Sequence, residues 1–130
     1  MVQHSIAGAK LGMTEAQVEK KLGQPRRILT GTNEFGAWRS LVYRRVTVTL
    51  QSGKKVTTLT TKSSEESTKS GVGVGSTRTQ LRSDIRGETC EKAYGLDHCW
   101  IGTWKAGRVV TDFRLSNGKV SRVTIGFVLD

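Results

Sequence analysis

The sequence has few of the residues that enzymes most often use for catalysis. Its 130 residues include two histidines, His4 and His98, and two cysteines, Cys90 and Cys99. Around them the sequence shows no paired nucleophile and general base. The glycine-rich stretch GVGVG at 71–75 follows a polar segment rather than a strand, which excludes a dinucleotide-binding fingerprint. We therefore expect a protein that is not an enzyme, binds no small-molecule substrate and needs no cofactor.

The sequence also lacks a long hydrophobic run and a visible export signal. No stretch approaches the roughly 18 apolar residues that a membrane span needs. The start, MVQHSIAGAK, has neither a basic beginning nor an apolar core. Acidic residues are scarce, because 21 Lys and Arg stand against 11 Asp and Glu, for a net charge of +10. Such a surface suits an anionic partner, namely nucleic acid, an anionic envelope polymer, a membrane surface or an acidic protein; a merely solvated basic surface is the alternative.

The two cysteines lie close together in the sequence. A disulfide that closes a small loop is favoured, since Cys90, Cys99 and His98 match no standard zinc spacing and a fourth ligand is not evident. A pair of free buried thiols and a metal site that includes His98 are the alternatives. A disulfide would imply an oxidising compartment and therefore an exported protein.

A short helix signature occurs twice, in GMTEAQVEKKLGQP at 12–25 and in GSTRTQLRSDIRGET at 75–89. Each copy carries Thr-x-x-Gln, the capping box in which the Thr hydroxyl accepts a first-turn N–H and the Gln reaches back to the cap. Each copy then has two apolar residues four apart on one helix face and meets a glycine, Gly23 or Gly87. Helices of about two to three turns are not stable alone in water, so each must pack on another element.

Strand-like segments follow each helix signature. LVYRRVTVTL turns at QSGKK and returns as VTTLTT, and RVVTDFRL turns at SNGK and returns as VSRVTIGFVL. Asn117-Gly118 is a strong hairpin signal. The alternation predicts one apolar face for the helix to cover and one more polar face that meets water or a partner. We therefore predict an α+β fold of two tandem units, each a short helical segment packed on a three- to four-stranded antiparallel sheet.

The stretch between the two copies, TKSSEESTKSG at 61–71, has no hydrophobic residue and is rich in Ser, Lys and Glu. This composition is typical of a linker. We predict a first repeat at 1–62, a linker at 63–71 and a second repeat at 72–130. Units of this size bury little surface alone, so we expect them to gain stability by docking on each other.

The few aromatic residues fall in stretches that are candidates for a binding surface. In CWIGTWK, Trp100 and Trp104 would share one face of a strand, opposite Cys99 and Ile101. Aromatic residues and arginine together are enriched at the centres of protein interfaces. In the alternative interpretation the aromatic rings pack inward and the arginines are solvated. The candidate partner-binding residues are Phe35, Trp38, Arg39, Tyr43, Arg44, Tyr94, Trp100 and Trp104.

The repeated Gly-x-Thr-x-x-Gln signature, followed by Leu-Gly-x-Pro in the first copy, resembles the β-lactamase inhibitor proteins of actinomycetes. A similar opening occurs in small bacterial envelope lipoproteins of the same fold. In the inhibitors each repeat carries a disulfide between the helical segment and the first strands. Cys90 and Cys99 match that position in the second repeat, whereas the first repeat has no cysteine. In the family, a sheet face and projecting loops rich in aromatic residues contact the inhibited enzyme.

The resemblance implies an exported, non-catalytic protein-binding module whose target is unknown, with β-lactamase as one candidate. The alternative hypothesis is a basic envelope protein that binds an anionic polymer or nucleic acid. We expect a secreted or cell-envelope protein of bacteria, in its mature form without a signal peptide. Association with a membrane would need a lipid anchor outside this sequence.

Overall fold

A computed structural model describes residues 5–67, 71–84, 89–93 and 95–129 of the chain. The predicted helices and strands occur there in the expected chain order. The elements are β1 (Ser5–Ile6), β2 (Ala9–Lys10), α1 (Glu15–Leu22), β3 (Arg27–Asn33), β4 (Gly36–Val42), β5 (Thr47–Gln51), β6 (Val56–Thr61), α2 (Arg78–Asp84), β7 (Thr89–Ala93), β8 (Leu96–Ile101), β9 (Val109–Ser116) and β10 (Lys119–Phe127).

Eight of these strands form one continuous sheet in the order β3-β4-β5-β6-β10-β9-β8-β7, and β1 and β2 form a separate two-stranded sheet. Each half of the chain contributes four consecutive antiparallel strands. The halves join where β6 pairs with β10, with Thr61 opposite Val123 and Thr58 opposite Gly126. The joint gives the backbone groups along both strands hydrogen-bond partners, which a sheet edge would leave unpaired.

The prediction of an α+β protein built from two tandem helix-on-sheet units is wrong. The protein is predominantly β, and the described helices have only eight and seven residues. The strands of the two halves belong to one sheet rather than two, because β6 and β10 pair edge to edge. The hydrophobic core also crosses the joint. Ile125 of β10 is buried among residues of the first half, and Val109 of β9 packs against the same cluster.

Each helix covers the apolar face of the strands, as the alternation of apolar and polar residues predicts. Val18 of α1 is fully buried in a cluster with Leu41, Val48 and Leu59 of the first half. Leu81 of α2 is fully buried in a second cluster with Cys99, Phe113, Val120 and Val123. No helix among the described residues is long and apolar enough to cross a membrane.

The local signals read from the sequence are confirmed where the structure describes them. Thr14 and Gln17 form the complete capping box of α1, and Gly23 ends that helix with a φ of 82°. The same box joins Thr77 and Gln80. Asn117 and Gly118 have φ angles of 54° and 77°, as a tight two-residue hairpin requires. The second predicted helix stop, Gly87, lies outside the described residues.

Part of the polar stretch between the halves is packed against the first half. Glu66 is only 4% exposed, and its Oε1 accepts a hydrogen bond from the Ala7 N–H at 2.9 Å. Its other carboxylate oxygen pairs with Arg45. Ser67 forms a bridge with Gly73. The division of the chain at 63–71 stays a prediction, but residues 63–67 are tied to the fold by these contacts.

Candidate functional site

One face of the eight-stranded sheet carries α1, α2 and the two hydrophobic clusters, and the opposite face carries polar and aromatic side chains. We call this opposite face the open face. Strand register places the following residues on it: Trp38, Ser40, Thr47, Thr49, Thr58, Thr60, His98, Trp100, Asp112, Arg114, Arg122 and Thr124. Hydroxyl groups occupy its middle, where Ser40 and Thr49 are hydrogen-bonded at 2.7 Å.

An aromatic cluster of His98, Trp100 and Trp104 lies at the β8 end of the open face. The ring centroids of Trp100 and Trp104 are 6.0 Å apart in an edge-to-face arrangement. Those of His98 and Trp100 are 4.8 Å apart. Trp104 is 52% exposed, which makes it the most exposed large hydrophobic side chain in the described part of the chain. Such a ring offers a large apolar surface with little conformational freedom to lose on binding.

Asp112 holds the aromatic cluster from the neighbouring strand. It lies directly opposite Trp100, and its Oδ1 is 2.6 Å from Nδ1 of His98. Because a carboxylate oxygen accepts, Nδ1 of His98 is the donor of this hydrogen bond. The contact fixes the orientation of the His98 ring against Trp100.

The disulfide between Cys90 and Cys99 is confirmed. The two residues are directly paired across β7 and β8, and Cys99 is fully buried in the second hydrophobic cluster. Ile101 packs against the same cluster. Since successive side chains of a strand point to opposite faces, the burial of Cys99 and Ile101 turns Trp100 to the open face. The free-thiol and metal-site alternatives are thereby excluded for this pair.

The candidate residues of the first half are not brought together. Phe35 lies in the β3–β4 turn and is 36% exposed, and Trp38 lies half-buried on the open face. Arg39 is on the helix side, where its Nε is 2.7 Å from Oε1 of Glu15 in α1. Tyr43 packs against the first hydrophobic cluster, and its hydroxyl donates to the Gly23 carbonyl at 2.8 Å. Burial raises the pKa of Tyr43, and Glu19 and Glu15 raise it further.

Arg44 is engaged with the stretch between the halves. Its two terminal nitrogens are 2.6 and 3.0 Å from the two carboxylate oxygens of Glu65. These hydrogen bonds lower the pKa of Glu65 and raise that of Arg44. Tyr94, the remaining candidate, lies outside the described residues. The structure thus gathers Trp100 and Trp104 into one site and gives Arg39, Tyr43 and Arg44 internal partners.

Sequence reasoning missed three polar residues of the open face, Asp112, Arg114 and Arg122. The alternation in RVVTDFRL could have revealed the first two, because it places them together on the polar side of β9. Arg122 could not be placed in this way, since the register shifts between Val120 and Arg122. In the described part of the chain, no group of three or more His, Cys, Asp or Glu residues could hold a metal ion.

The sequence matches no protein-family model and no curated protein. Its fold is similar to that of an extracellular protein containing an SCP domain from Bacillus anthracis str. Ames, with a TM-score of 0.60 and 11% sequence identity. The similarity covers 90% of this chain but only 44% of that protein, less than half its length. At this identity the likeness shows the fold alone. The disulfide of this chain is consistent with secretion, and the resemblance to β-lactamase inhibitor proteins stays a prediction.

Proposed function

We propose that the protein is an exported, non-catalytic module that binds a partner protein through the open face of its sheet. The observation that carries the proposal is the aromatic cluster, in which exposed Trp104 lies against Trp100 on the face that bears neither helix. Exposed, clustered tryptophans are typical anchors of protein interfaces. His98 and Trp100 are held by Asp112 and by the adjacent disulfide-bonded strand pair, so these two rings need little ordering on binding.

The distribution of charge also favours a protein over a long polyanion. Four of the eleven arginines are paired with carboxylates of the same chain. The pairs are Arg39–Glu15, Arg44–Glu65, Arg45–Glu66 and Arg78–Asp97. An interface centred on aromatic rings, with a few charged groups beside them, has the composition of a protein-binding surface.

A class A β-lactamase is the candidate partner that we propose to test, because the resemblance of the helix signatures suggests it. The wild-type protein would be titrated against a panel of these enzymes at low salt and at about 0.15 M salt. We expect inhibition in a 1:1 ratio that changes little with salt. Absence of inhibition across the panel would remove β-lactamase as the target.

The role of the open face is tested in the same assay with a matched pair of variants. Trp100→Ala/Trp104→Ala should weaken inhibition by roughly 10- to 100-fold, as expected for interface anchors. Ile28→Ala is the control, since Ile28 is 40% exposed at the far edge of the sheet on β3. Circular dichroism would show that both variants are folded. Equal effects of the two variants would exclude the open face as the binding surface.

The second candidate function is binding of an anionic polymer or nucleic acid, which the net charge of +10 favours. Binding to such a polymer should weaken steeply as salt increases, because the polymer releases its counterions when it is bound. The low-salt and physiological-salt arms of the titration separate the two functions. A steep loss of all binding at physiological salt would favour the polymer.

A further inference from the structure

A row of basic side chains crosses the open face beside the aromatic cluster. His98 of β8 lies directly opposite Arg114 of β9, and Arg114 lies directly opposite Arg122 of β10. Side chains that are paired in this way have Cβ atoms about 5 Å apart. Thr61, the last residue of β6, lies opposite Val123. The same register continued by one residue would place Lys62 opposite Arg122 and extend the row. The row is centred on the two arginines.

A β-bulge at Ser121 places Arg122 in this row. Val120 is opposite Leu115 and Arg122 is opposite Arg114, so Ser121 is an extra residue on β10. Simple alternation would put Arg122 on the same side as Val120, which is buried in the core. The bulge lets both Val120 and Val123 point into the core while Arg122 points to the open face.

The two arginines have no acidic partner among the described residues. Asp112, which lies on the same face, is hydrogen-bonded to His98. The Nε of Arg122 is buried and has no hydrogen-bond partner in the part of the chain that the structure describes. Like charges directly opposite each other in a sheet are destabilising, and a buried donor without a partner costs free energy. An anion between the two guanidinium groups would relieve the repulsion of their like charges.

We infer that the Arg114–Arg122 pair binds a carboxylate of an acidic side chain on the partner protein, an inference that rests on the proposed function. Guanidinium groups offer planar pairs of N–H donors that match the two oxygens of a carboxylate. Trp100 lies on the same face. It is directly opposite Asp112, which precedes Arg114 by two residues on β9. The site therefore takes an acidic residue that has an apolar residue beside it.

The surrounding charges favour a single carboxylate over a phosphate polymer. Asp112 lies two residues from Arg114 on the same face, and Glu91 is opposite His98, at the end of the basic row. A phosphate polymer that ran from the arginines toward β7 would meet Glu91, and one that ran along β9 would meet Asp112. One discrete acidic group between the arginines avoids both.

The site can be tested with two probes of similar charge, a glutamate decamer and a linear polyphosphate of ten units. Binding would be followed by tryptophan fluorescence and by NMR shifts of the arginine Nε–Hε groups in the wild-type protein. The test variant is Arg114→Gln/Arg122→Gln. The matched control, Lys20→Gln/Arg82→Gln, removes the same charge from exposed positions on α1 and α2, on the other side of the sheet.

We expect the test variant to bind the glutamate decamer about tenfold more weakly than the control variant does, because charge-assisted bidentate contacts are lost. The wild-type NMR shifts should be larger for Arg114 and Arg122 than for Arg82. Equal losses in the two variants, together with equal NMR shifts, would overturn the inference. A loss specific to polyphosphate would also overturn it, since the site would then take phosphate groups.

The inference and the proposed function can fail separately. If a partner protein binds the arginine variant as tightly as the control but no longer binds Trp100→Ala/Trp104→Ala, the carboxylate site is wrong and the open face stands. If the tryptophan substitutions have no effect on a bound partner, the proposed function fails, whatever the glutamate decamer does.

Discussion

The indole of Trp38 packs close to Gly31, its direct partner across β3 and β4. A Cβ atom at position 31 would be 2.6 Å from Cζ2 and 2.7 Å from Cε2 of the indole. The absence of a side chain at Gly31 therefore creates the space in which Trp38 packs. This contact explains why Trp38 is half-buried although it lies on the open face near the edge of the sheet.

We expect Gly31→Ala to lower the free energy of unfolding by about 1–3 kcal/mol, because the new methyl group must displace a rigid ring. Gly53→Ala is the matched control. Its Cβ would meet no atom of the described residues within 4 Å, and Gly53 has no positive φ. Urea unfolding of both variants measures the difference. A Gly31→Ala protein as stable as Gly53→Ala would show that Trp38 moves away at no cost.

The buried carboxylate of Glu66 joins the polar stretch between the halves to the start of the chain and to Arg45. We expect Glu66→Ala to lower the free energy of unfolding by about 1–3 kcal/mol, because the Ala7 N–H and the Arg45 guanidinium both lose their acceptor. Glu65→Ala, at the exposed neighbouring position, should have a smaller effect. Thermal unfolding compares the two. An equal loss of stability in the two variants would mean that the burial of Glu66 adds nothing to the free energy of unfolding.

The two capping boxes allow a paired test of helix stability. Thr14 Oγ1 accepts from the Gln17 N–H at 3.2 Å, and Thr77 Oγ1 accepts from the Gln80 N–H at 3.1 Å. Thr14→Ala and Thr77→Ala should each lower the free energy of unfolding by about 0.5–2 kcal/mol. Serine at either position keeps the hydroxyl and should restore most of the loss. If the serine variants were as unstable as the alanine variants, loss of the capping hydrogen bond would not be the cause of the lower stability.

The raised pKa of Tyr43 predicts a loss of stability at high pH. Burial and the neighbouring Glu19 and Glu15 disfavour the phenolate in the folded state. The folded state therefore holds this proton more tightly than the unfolded state, whose tyrosine pKa is about 10. The resulting stabilisation is fully present below pH of about 10 and is lost as the pH rises through the folded pKa.

This titration can be measured directly because the chain has two tyrosines. In a Tyr94→Phe variant, the ultraviolet absorbance of tyrosinate reports Tyr43 alone. We expect a midpoint above about 10, and Glu19→Gln should shift it downward by removing one of the two negative charges. A midpoint at or below that of free tyrosine would contradict the burial of this hydroxyl.

Several features could be predicted because short-range contacts determine them. The two capping boxes, the stop at Gly23, the Asn117-Gly118 hairpin and the paired cysteines each depend on residues close in sequence. The turning of Trp100 away from buried Cys99 follows from the alternation of a strand in the same way. For these features the local residues specify which conformation forms, although the short helices still depend on packing against the sheet for stability.

The architecture and half of the candidate site depend on contacts between residues far apart in the chain. Pairing of β6 with β10 brings Thr60 opposite Thr124 and makes one sheet of two halves, and either half could have ended at a free edge. The bulge at Ser121 is visible only against β9, so the sequence could not show that Arg122 faces Arg114.

The amino-acid sequence by itself determined the caps of the short helices and the Asn117-Gly118 hairpin, and it favoured the disulfide and the outward face of Trp100. Only the tertiary structure decided that the strands form one sheet, that Glu66 is buried, that Asp112 orients His98 and that Arg114 faces Arg122. The physical reason is that backbone pairing between distant strands depends weakly on side-chain identity. Which edges meet is therefore settled by the packing of the whole core.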